Sequence, residues 1–224
     1  MLSYLLNGDI QTFVVSLLLC LPIVMLALSV HETAHGYVAY KLGDPTARNF
    51  GRLTLNPAKH MDPIGTVCMV LFGFGWAKPV PINTRYFKKP KRDMALSAAA
   101  GPISNLLLAF AFAVILRIVW TFAPSFITSD SDFIYQIFYW LFQFLYLGIR
   151  LNVTLAVFNL IPVPPFDGSR IFLVLLPTET YFKVMRYEKY LYILLMVALF
   201  LGFLDTPINF VTNLFMSIIE AAAF

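Results

Sequence analysis

Two imidazoles and a carboxylate stand within five residues of each other in the sequence His31-Glu32-Thr33-Ala34-His35. On a helix, residues four positions apart lie on one face, so both imidazoles can bind a single zinc ion from the same side. The glutamate, one position round the helix, can then reach a water molecule on the metal and accept its proton as the water attacks a carbonyl. This spacing is the H-E-x-x-H pattern of metalloproteases.

The position of this pattern in the chain strengthens its interpretation as a metal site. The chain has three histidines, and two of them fall in the pattern beside a glutamate. The pattern follows a segment that is otherwise apolar, from Phe13 to Val30. Ionisable groups in a membrane-spanning segment are costly and are usually functional. We therefore favour a metal site over a chance arrangement.

A third metal ligand has to come from elsewhere, because catalytic zinc usually has three protein ligands and an open fourth position. The sequence offers four candidates: Asp44, His60, Asp62 and Asp167. Asp44 lies in a Gly-Asp-Pro turn, where aspartate is ordinary turn chemistry. Asp167 follows a proline-rich break and could equally cap a helix that begins near Ser169. The residues alone leave this choice open.

The composition excludes a soluble globular domain. Of the 224 residues, 59% are hydrophobic and 12% are charged, with a mean hydropathy of +0.77, whereas soluble domains are about 25% charged. Long apolar runs suit bilayer-spanning helices of about 20 residues. We predict an all-α polytopic membrane protein with about five to six transmembrane helices. The predicted helices cover residues 11–40, 97–122, 133–160, 190–204 and 208–223, with a shorter apolar stretch at 171–176.

The region between the first two helices has a different texture. Residues 49–56 alternate in polarity, and residues 76–83 are extended by their prolines, so we expect them to pair as a small β-sheet at the membrane surface. Residues 64–74 are apolar, but they are too few and too rich in glycine to span a bilayer. We expect a re-entrant segment there.

The distribution of charge predicts the topology. Residues 41–92 and 170–189 are basic, so both segments should face the cytoplasm. Residues 124–132 carry aspartates but no lysine or arginine, so they should lie outside. This arrangement puts the histidine pair and Asp167 at a similar depth, toward the cytoplasmic side. It also makes nucleic-acid binding a poor explanation of the basic residues, since they lie in a loop between membrane segments.

Two motifs together resemble the site-2 protease family of intramembrane zinc metalloproteases. They are the His31–His35 pattern and the sequence NLIPVPPFDGSR at residues 159–170. Three further segments, at residues 51–57, 76–81 and 100–105, are similar to the small bacterial and archaeal members that lack a PDZ insertion. The resemblance covers most of residues 30–170 and implies a multi-pass protein of a prokaryotic cell membrane.

The resemblance also implies roles for individual residues. Asp167 would be the third zinc ligand. Asn159 would face the site and steady the substrate carbonyl or the developing oxyanion, a role that suits an amide donor; the alternative is a helix-packing contact. Asn152 lies on roughly the same face, so it would either line the cavity or bond to a neighbouring helix.

We therefore predict a single integral-membrane metalloprotease domain over residues 1–224, with core motifs at 30–170 and C-terminal helices at 187–224. It would use one Zn²⁺ ion to hydrolyse peptide bonds within or near transmembrane segments of other membrane proteins, as in regulated intramembrane proteolysis. The expected partners are a transmembrane protein substrate and the lipid bilayer, and a homo-oligomer is compatible with the sequence. The alternative is a non-enzymatic membrane metal transporter or binding protein, which would spread its ligands along a path.

Overall fold

The protein is almost entirely helical over the part described by the computed structural model, namely residues 4, 6–72, 75–123 and 132–223. Short 3₁₀ segments occur at Pro57–Lys59, Thr84–Tyr86 and Leu173–Leu175. In chain order the α-helices are α1 (Ile10–Lys41), α2 (Thr46–Asn49), α3 (Pro63–Phe72), α4 (Pro90–Phe122), α5 (Asp132–Asn159), α6 (Asp167–Phe172), α7 (Thr178–Arg186), α8 (Glu188–Phe200) and α9 (Asp205–Ala223).

Three of these helices, α1, α4 and α5, are long and apolar enough to cross a membrane. They confirm the first three predicted helices, although α4 begins at Pro90, where a proline suits the first turn of a helix. The prediction of five to six spanning helices is not supported. Helix α8 has 13 residues, short of the roughly 20 that a span needs, and α9 carries polar residues along its length.

Helix α4 lies at the centre of the bundle and packs against α1, α5 and α9. Small residues allow close approach: a Cβ atom added at Gly148 of α5 would lie 2.8 Å from the ring of Phe112 on α4. The resulting core combines small, branched and aromatic side chains of α4, α5 and α9: Ala109, Phe112, Ala113, Leu116, Leu145, Ile149, Val153, Val157, Met216 and Ile219. This core holds α4 and α5 in fixed register behind the histidine pair of α1.

The predicted small β-sheet is not present in the described residues, where a single antiparallel bridge joins Met61 to Ala77. Two of the residues at 76–83 are prolines, which have no N–H to donate. The N–H groups of Val80 and Asn83 donate instead to the side chains of Glu32 and Asp44. The donors that a sheet would need are therefore bonded to side chains of α1 and of the turn that follows it.

The predicted re-entrant segment corresponds to α3, which has ten residues and is too short to span. Its Gly65 lies against the backbone of Trp76, since an added Cβ would meet the Trp76 carbonyl oxygen at 2.2 Å. Residues 73–74, at the end of the predicted segment, and most of the connection predicted to lie outside, residues 124–131, fall outside the described part of the chain. The re-entrant depth of α3 stays a prediction.

Candidate metal centre

The C-terminal half of α1 presents His31 and His35 on one face, and α6 brings Asp167 to meet them. The Nε2 atoms of the two imidazoles are 2.9 Å apart. The Oδ2 atom of Asp167 lies 3.2 Å from each of them. Both histidines are buried, with 6% and 7% of their surface exposed, and Asp167 is nearly so. Three potential metal-binding atoms from two distant parts of the chain thus converge on one point.

Asp167 reaches this point because the chain reverses sharply after α5. Prolines at 162, 164 and 165 cannot continue a helix, and α5 ends at Asn159. Gly168 then packs on the end of α5, where an added Cβ would lie 2.3 Å from the carbonyl oxygen of Leu160. The N-cap position of α6 is Phe166, and no side chain caps that helix. Asp167 is therefore directed toward the imidazoles and does not act as a helix cap.

The other nitrogen of each imidazole is also hydrogen-bonded. The Nδ1 of His35 lies 2.7 Å from the carbonyl oxygen of Ser97 on α4, and a carbonyl can only accept, so this Nδ1 carries the hydrogen. The Nδ1 of His31 lies 2.6 Å from Oδ1 of Asn105, which is likewise an acceptor. Since Nδ1 of each ring carries a hydrogen, Nε2 is the nitrogen that each ring directs toward Asp167 and toward the other imidazole.

This donor set fits a bound cation. Two Nε2 lone pairs face each other, and the buried Oδ2 of Asp167 has no hydrogen-bond donor. Zinc–ligand bonds of about 2.0–2.1 Å in a tetrahedral arrangement place the ligand atoms roughly 3.3 Å apart. The observed separations of 2.9 and 3.2 Å are close to that spacing. Acceptors this close repel each other unless positive charge lies between them.

The ionisation state of Asp167 suits the same role. Burial raises the pKa of this carboxyl group, and positive charge shared with the adjacent imidazoles of His31 and His35 in the metal-free cluster lowers it by more, to about 2. The carboxylate is thus anionic at neutral pH, which is the form that ligates a metal.

Helix α4 closes one side of the cluster through Gly101. A Cβ atom added at this glycine would lie 2.5 Å from Cε1 of His31 and 2.5 Å from Nε2 of His35. The backbone of α4 therefore lies directly against both rings, and only glycine leaves room for them. From the sequence, Gly101 belonged to the segment of family resemblance at residues 100–105, and its contact with the imidazoles was not predicted.

Glu32 lies on the other side of the cluster, one residue along α1 from His31. It is half-buried, and its Oε2 accepts a hydrogen bond of 2.7 Å from the backbone N–H of Val80. Val80 stands between two prolines and is itself buried. The segment that was expected to form a strand thus holds the carboxylate next to the metal-binding atoms.

The three other candidates for the third ligand have structural partners of their own. Asp44 is buried and accepts from the N–H groups of Thr46 and Asn83. Asp62 accepts from the N–H of Gly65 at the start of α3. His60 is buried and donates from Nε2 to the carbonyl of Thr54, at 2.7 Å. Among the described residues, His31, His35 and Asp167 form the one group of three His, Cys, Asp or Glu side chains with ligand atoms within 4.8 Å of one another.

The two asparagines singled out on α5 have different surroundings. Asn159 is half-buried at the end of the helix, and its Nδ2 donates to the carbonyl of Leu155 at 2.9 Å. Asn152 is fully buried; its Nδ2 donates to the carbonyl of Gly148, and its Oδ1 accepts from Nδ2 of Asn105. Asn152 thus has a hydrogen bond to a neighbouring helix, and its cavity-lining role stays a prediction. The oxyanion role of Asn159 stays a prediction.

Comparisons with known proteins agree with the metal-binding geometry. The chain is 43% identical over 173 residues to a Bacillus subtilis protein named "Putative zinc metalloprotease YwhC", covering 77% of this chain and 76% of the relative. Proteins with the same description are Rip2 of Mycolicibacterium smegmatis, 30% identical over 64% of this chain and 52% of the relative, and MJ0611 of Methanocaldococcus jannaschii, 27% identical over 66% and 71%. No solved structure matches the chain.

A family model described as "Peptidase family M50" matches residues 19–204. The matched range contains both motifs that meet at the cluster, the whole of α4 and α5, and α1 from residue 19 onward. This confirms the resemblance predicted from the sequence motifs, and the chain belongs to Peptidase family M50, the site-2 protease family.

Proposed function

We propose that this membrane metalloprotease hydrolyses peptide bonds within or next to transmembrane segments of other membrane proteins, with one zinc ion held by His31, His35 and Asp167. The observation that carries the proposal is the convergence of the Nε2 atoms of His31 and His35 on the buried Oδ2 of Asp167, which has no hydrogen-bond donor. The apolar helices support action inside a bilayer, since both histidines lie on α1 and the backbone of α4 lies against their rings.

Zinc at this site would lower the pKa of a bound water to about 7 and polarise the scissile carbonyl. Glu32 is the general base: its carboxylate accepts the proton of the attacking water and then passes it to the leaving amine. The N–H of Val80 holds one oxygen of that carboxylate, so the group is oriented before substrate arrives. Asn159 supplies the proposed amide donor to the developing oxyanion from the end of α5.

The substrate must present an extended stretch of backbone, because an intact helix keeps its carbonyls in internal hydrogen bonds. The small surface sheet expected from the sequence would have offered an edge for such a stretch. The N–H groups of Val80 and Asn83 are already bonded to Glu32 and Asp44, so they do not form that edge. We therefore keep the proposal that the substrate helix unwinds at the cleavage site, and we drop the sheet edge as the place where it binds.

We further propose that the protein is a multi-pass component of a prokaryotic cell membrane, with its site toward the cytoplasmic side. The histidine pair lies in the last three turns of α1, which ends at Lys41. The connection between α1 and α4 that follows is rich in lysine and arginine, which favours the cytoplasm. Cleavage there would release cytoplasmic domains of membrane-anchored substrates, the basis of regulated intramembrane proteolysis.

The substitution Glu32→Gln tests the proposal in purified protein reconstituted with a transmembrane substrate. We expect zinc content to stay at the wild-type level, while cleavage falls by about 10²–10⁴-fold because the general base is lost. Glu220→Gln, on the exposed side of α9, is the matched control and should cleave normally. Wild-type cleavage by Glu32→Gln would refute the assigned base.

The same preparation separates the protease from the metal transporter considered above. A transporter predicts ligands spread along a path, whereas the structure gathers them in one cluster. Vesicles loaded with a zinc-sensitive dye should show no zinc uptake that depends on His31 or His35. Such uptake, without cleavage of any membrane substrate, would favour transport.

A further inference from the structure

We propose that Asn152 and Asn105 form a hydrogen-bond relay that fixes the proton of His31 on Nδ1 and so keeps its Nε2 lone pair directed at the metal. The two asparagines are positioning residues, since neither is among the three ligands. The inference deepens the proposed function and rests on it, because it concerns the same zinc site.

The direction of the relay is set at its far end by a backbone carbonyl. The carbonyl of Gly148 can only accept, so the amide nitrogen of Asn152 must be the group that faces it, at 2.8 Å. The side-chain oxygen of Asn152 then points the other way, and it accepts from Nδ2 of Asn105 at 3.1 Å. Each amide therefore passes the same polarity on to the next group.

At the near end, this polarity leaves Oδ1 of Asn105 facing His31. The oxygen lies 2.6 Å from Nδ1 of the imidazole and can only accept, so the hydrogen must be on Nδ1. The amide nitrogen of Asn105 also lies 3.4 Å from the carbonyl oxygen of Ala27, another acceptor. A flip of the Asn105 amide would place its oxygen against two other acceptor oxygens, the carbonyl of Ala27 and Oδ1 of Asn152.

Because the relay is buried, its hydrogen bonds alone decide that His31 carries its hydrogen on Nδ1. Asn105 and Asn152 are both fully buried, so water cannot take over a bond that is lost. The relay also crosses the bundle, from α5 through α4 to α1. A packing role alone would explain contacts between these helices, but it would not require that every amide point in the one direction that leaves Nδ1 protonated.

The second imidazole provides an internal control. The Nδ1 of His35 donates to the backbone carbonyl of Ser97, a group that no side-chain substitution removes. Loss of the relay should therefore change the tautomer of His31 and leave that of His35 unchanged.

Zinc affinity of the full-length chain in detergent, measured by competition with a chelator, tests the relay. Asn105→Leu should weaken zinc binding by about 10–100-fold, because His31 loses its orienting partner. Asn105→Asp keeps an acceptor opposite Nδ1 and should stay within about threefold of the wild type. Asn152→Leu acts one step further away and should lose about 3–10-fold. The control Thr212→Val removes a buried polar group outside the relay, a hydroxyl on α9, and should bind zinc normally.

Nitrogen-15 NMR of the imidazoles gives a readout that a purely structural role would not change. The chain has three histidines, so the spectrum can be assigned. In the full-length chain after zinc removal, wild-type His31 should keep a hydrogen on Nδ1 even where a proton takes the place of zinc between the Nε2 atoms. In Asn152→Leu the His31 signals should move toward the Nε2–H form, with those of His35 unmoved.

Three results would overturn the relay: wild-type His31 without a hydrogen on Nδ1, an unchanged occupancy of Nδ1 by hydrogen in Asn152→Leu, or equal losses of affinity in Asn105→Asp and Asn105→Leu. The wild-type spectrum decides the question even where a leucine variant does not fold. If the wild type itself binds no zinc, the proposed function fails; if it binds zinc and the relay variants bind equally well, only the relay fails.

Discussion

The two sides of the metal centre are built differently. On its helix side, formed by α1, α4 and α5, His31 and His35 are buried, and Gly101 lies against their rings. Each imidazole there has a second hydrogen-bond partner within 2.7 Å. On its loop side, formed by residues 76–83 and, in the proposed function, by Asn159 at the end of α5, Glu32 is half-buried and bonded to the N–H of Val80.

This difference assigns metal binding to the helix side and substrate cleavage to the loop side. The helix side fixes nitrogen lone pairs in a dry environment, where a misplaced ligand cannot be replaced by water. On the loop side Glu32 and Asn159 are both half-buried, and the proposed function assigns them to the substrate. Substitutions on the helix side should therefore change zinc affinity, and substitutions on the loop side should change cleavage at constant zinc content.

On the helix side, the largest effect is expected from Gly101→Ala. The new methyl group would lie 2.5 Å from both imidazole rings and must displace them. Zinc affinity should fall by about 100-fold, and cleavage should fall with it. Chelator competition and a cleavage assay measure the two quantities. Ile103→Ala, on an exposed part of α4, serves as the control, and a Gly101→Ala protein with wild-type zinc affinity would show that the rings do not need this space.

On the loop side, Asn159→Leu should lower kcat by about 100-fold at unchanged zinc content, because the oxyanion loses a donor. Single-turnover cleavage and zinc analysis of the same sample would measure this. Asn213→Leu makes the same change on the exposed side of α9 and should have no effect. Normal cleavage by Asn159→Leu would limit Asn159 to its bond with the Leu155 carbonyl.

A smaller effect on the same side is expected from Val80→Pro, which removes the N–H that holds Glu32. A hydrogen bond to a charged group is lost, so cleavage should fall by about tenfold with zinc unaffected. Val80→Ala keeps the N–H and should remain near the wild type, which makes it the matched control. Equal activities of the two variants would mean that Glu32 is oriented by other contacts.

The long helices could be predicted from the sequence because apolar runs are local features. The expected spans at 190–204 and 208–223 were not supported, since the apolar run divides into α8 and α9 with polar residues along the latter. The prediction of a surface sheet was wrong because of tertiary contacts. The backbone N–H groups of Val80 and Asn83 donate to the carboxylates of Glu32 and Asp44, which lie 48 and 39 residues away in the sequence.

The site shows the same division between local and tertiary information. The spacing of His31 and His35 on one helix predicted their common face. Asp167 could be chosen over its rivals only through the family resemblance, because its position depends on how the proline turn and Gly168 fold back onto α5. The roles of Gly101 and Asn105 depend on the register between α4 and α1, which no spacing along the chain encodes.

The most direct test of the metal centre is the zinc content of purified wild type, Asp167→Ala and Asp62→Ala, measured on folded protein by mass spectrometry of the metal. Asp62 was a rival for the third ligand in the sequence, and in the structure it bonds to the N–H of Gly65. We predict bound zinc in the wild type and in Asp62→Ala, and its loss from Asp167→Ala. Full zinc in Asp167→Ala would contradict the assigned ligand set.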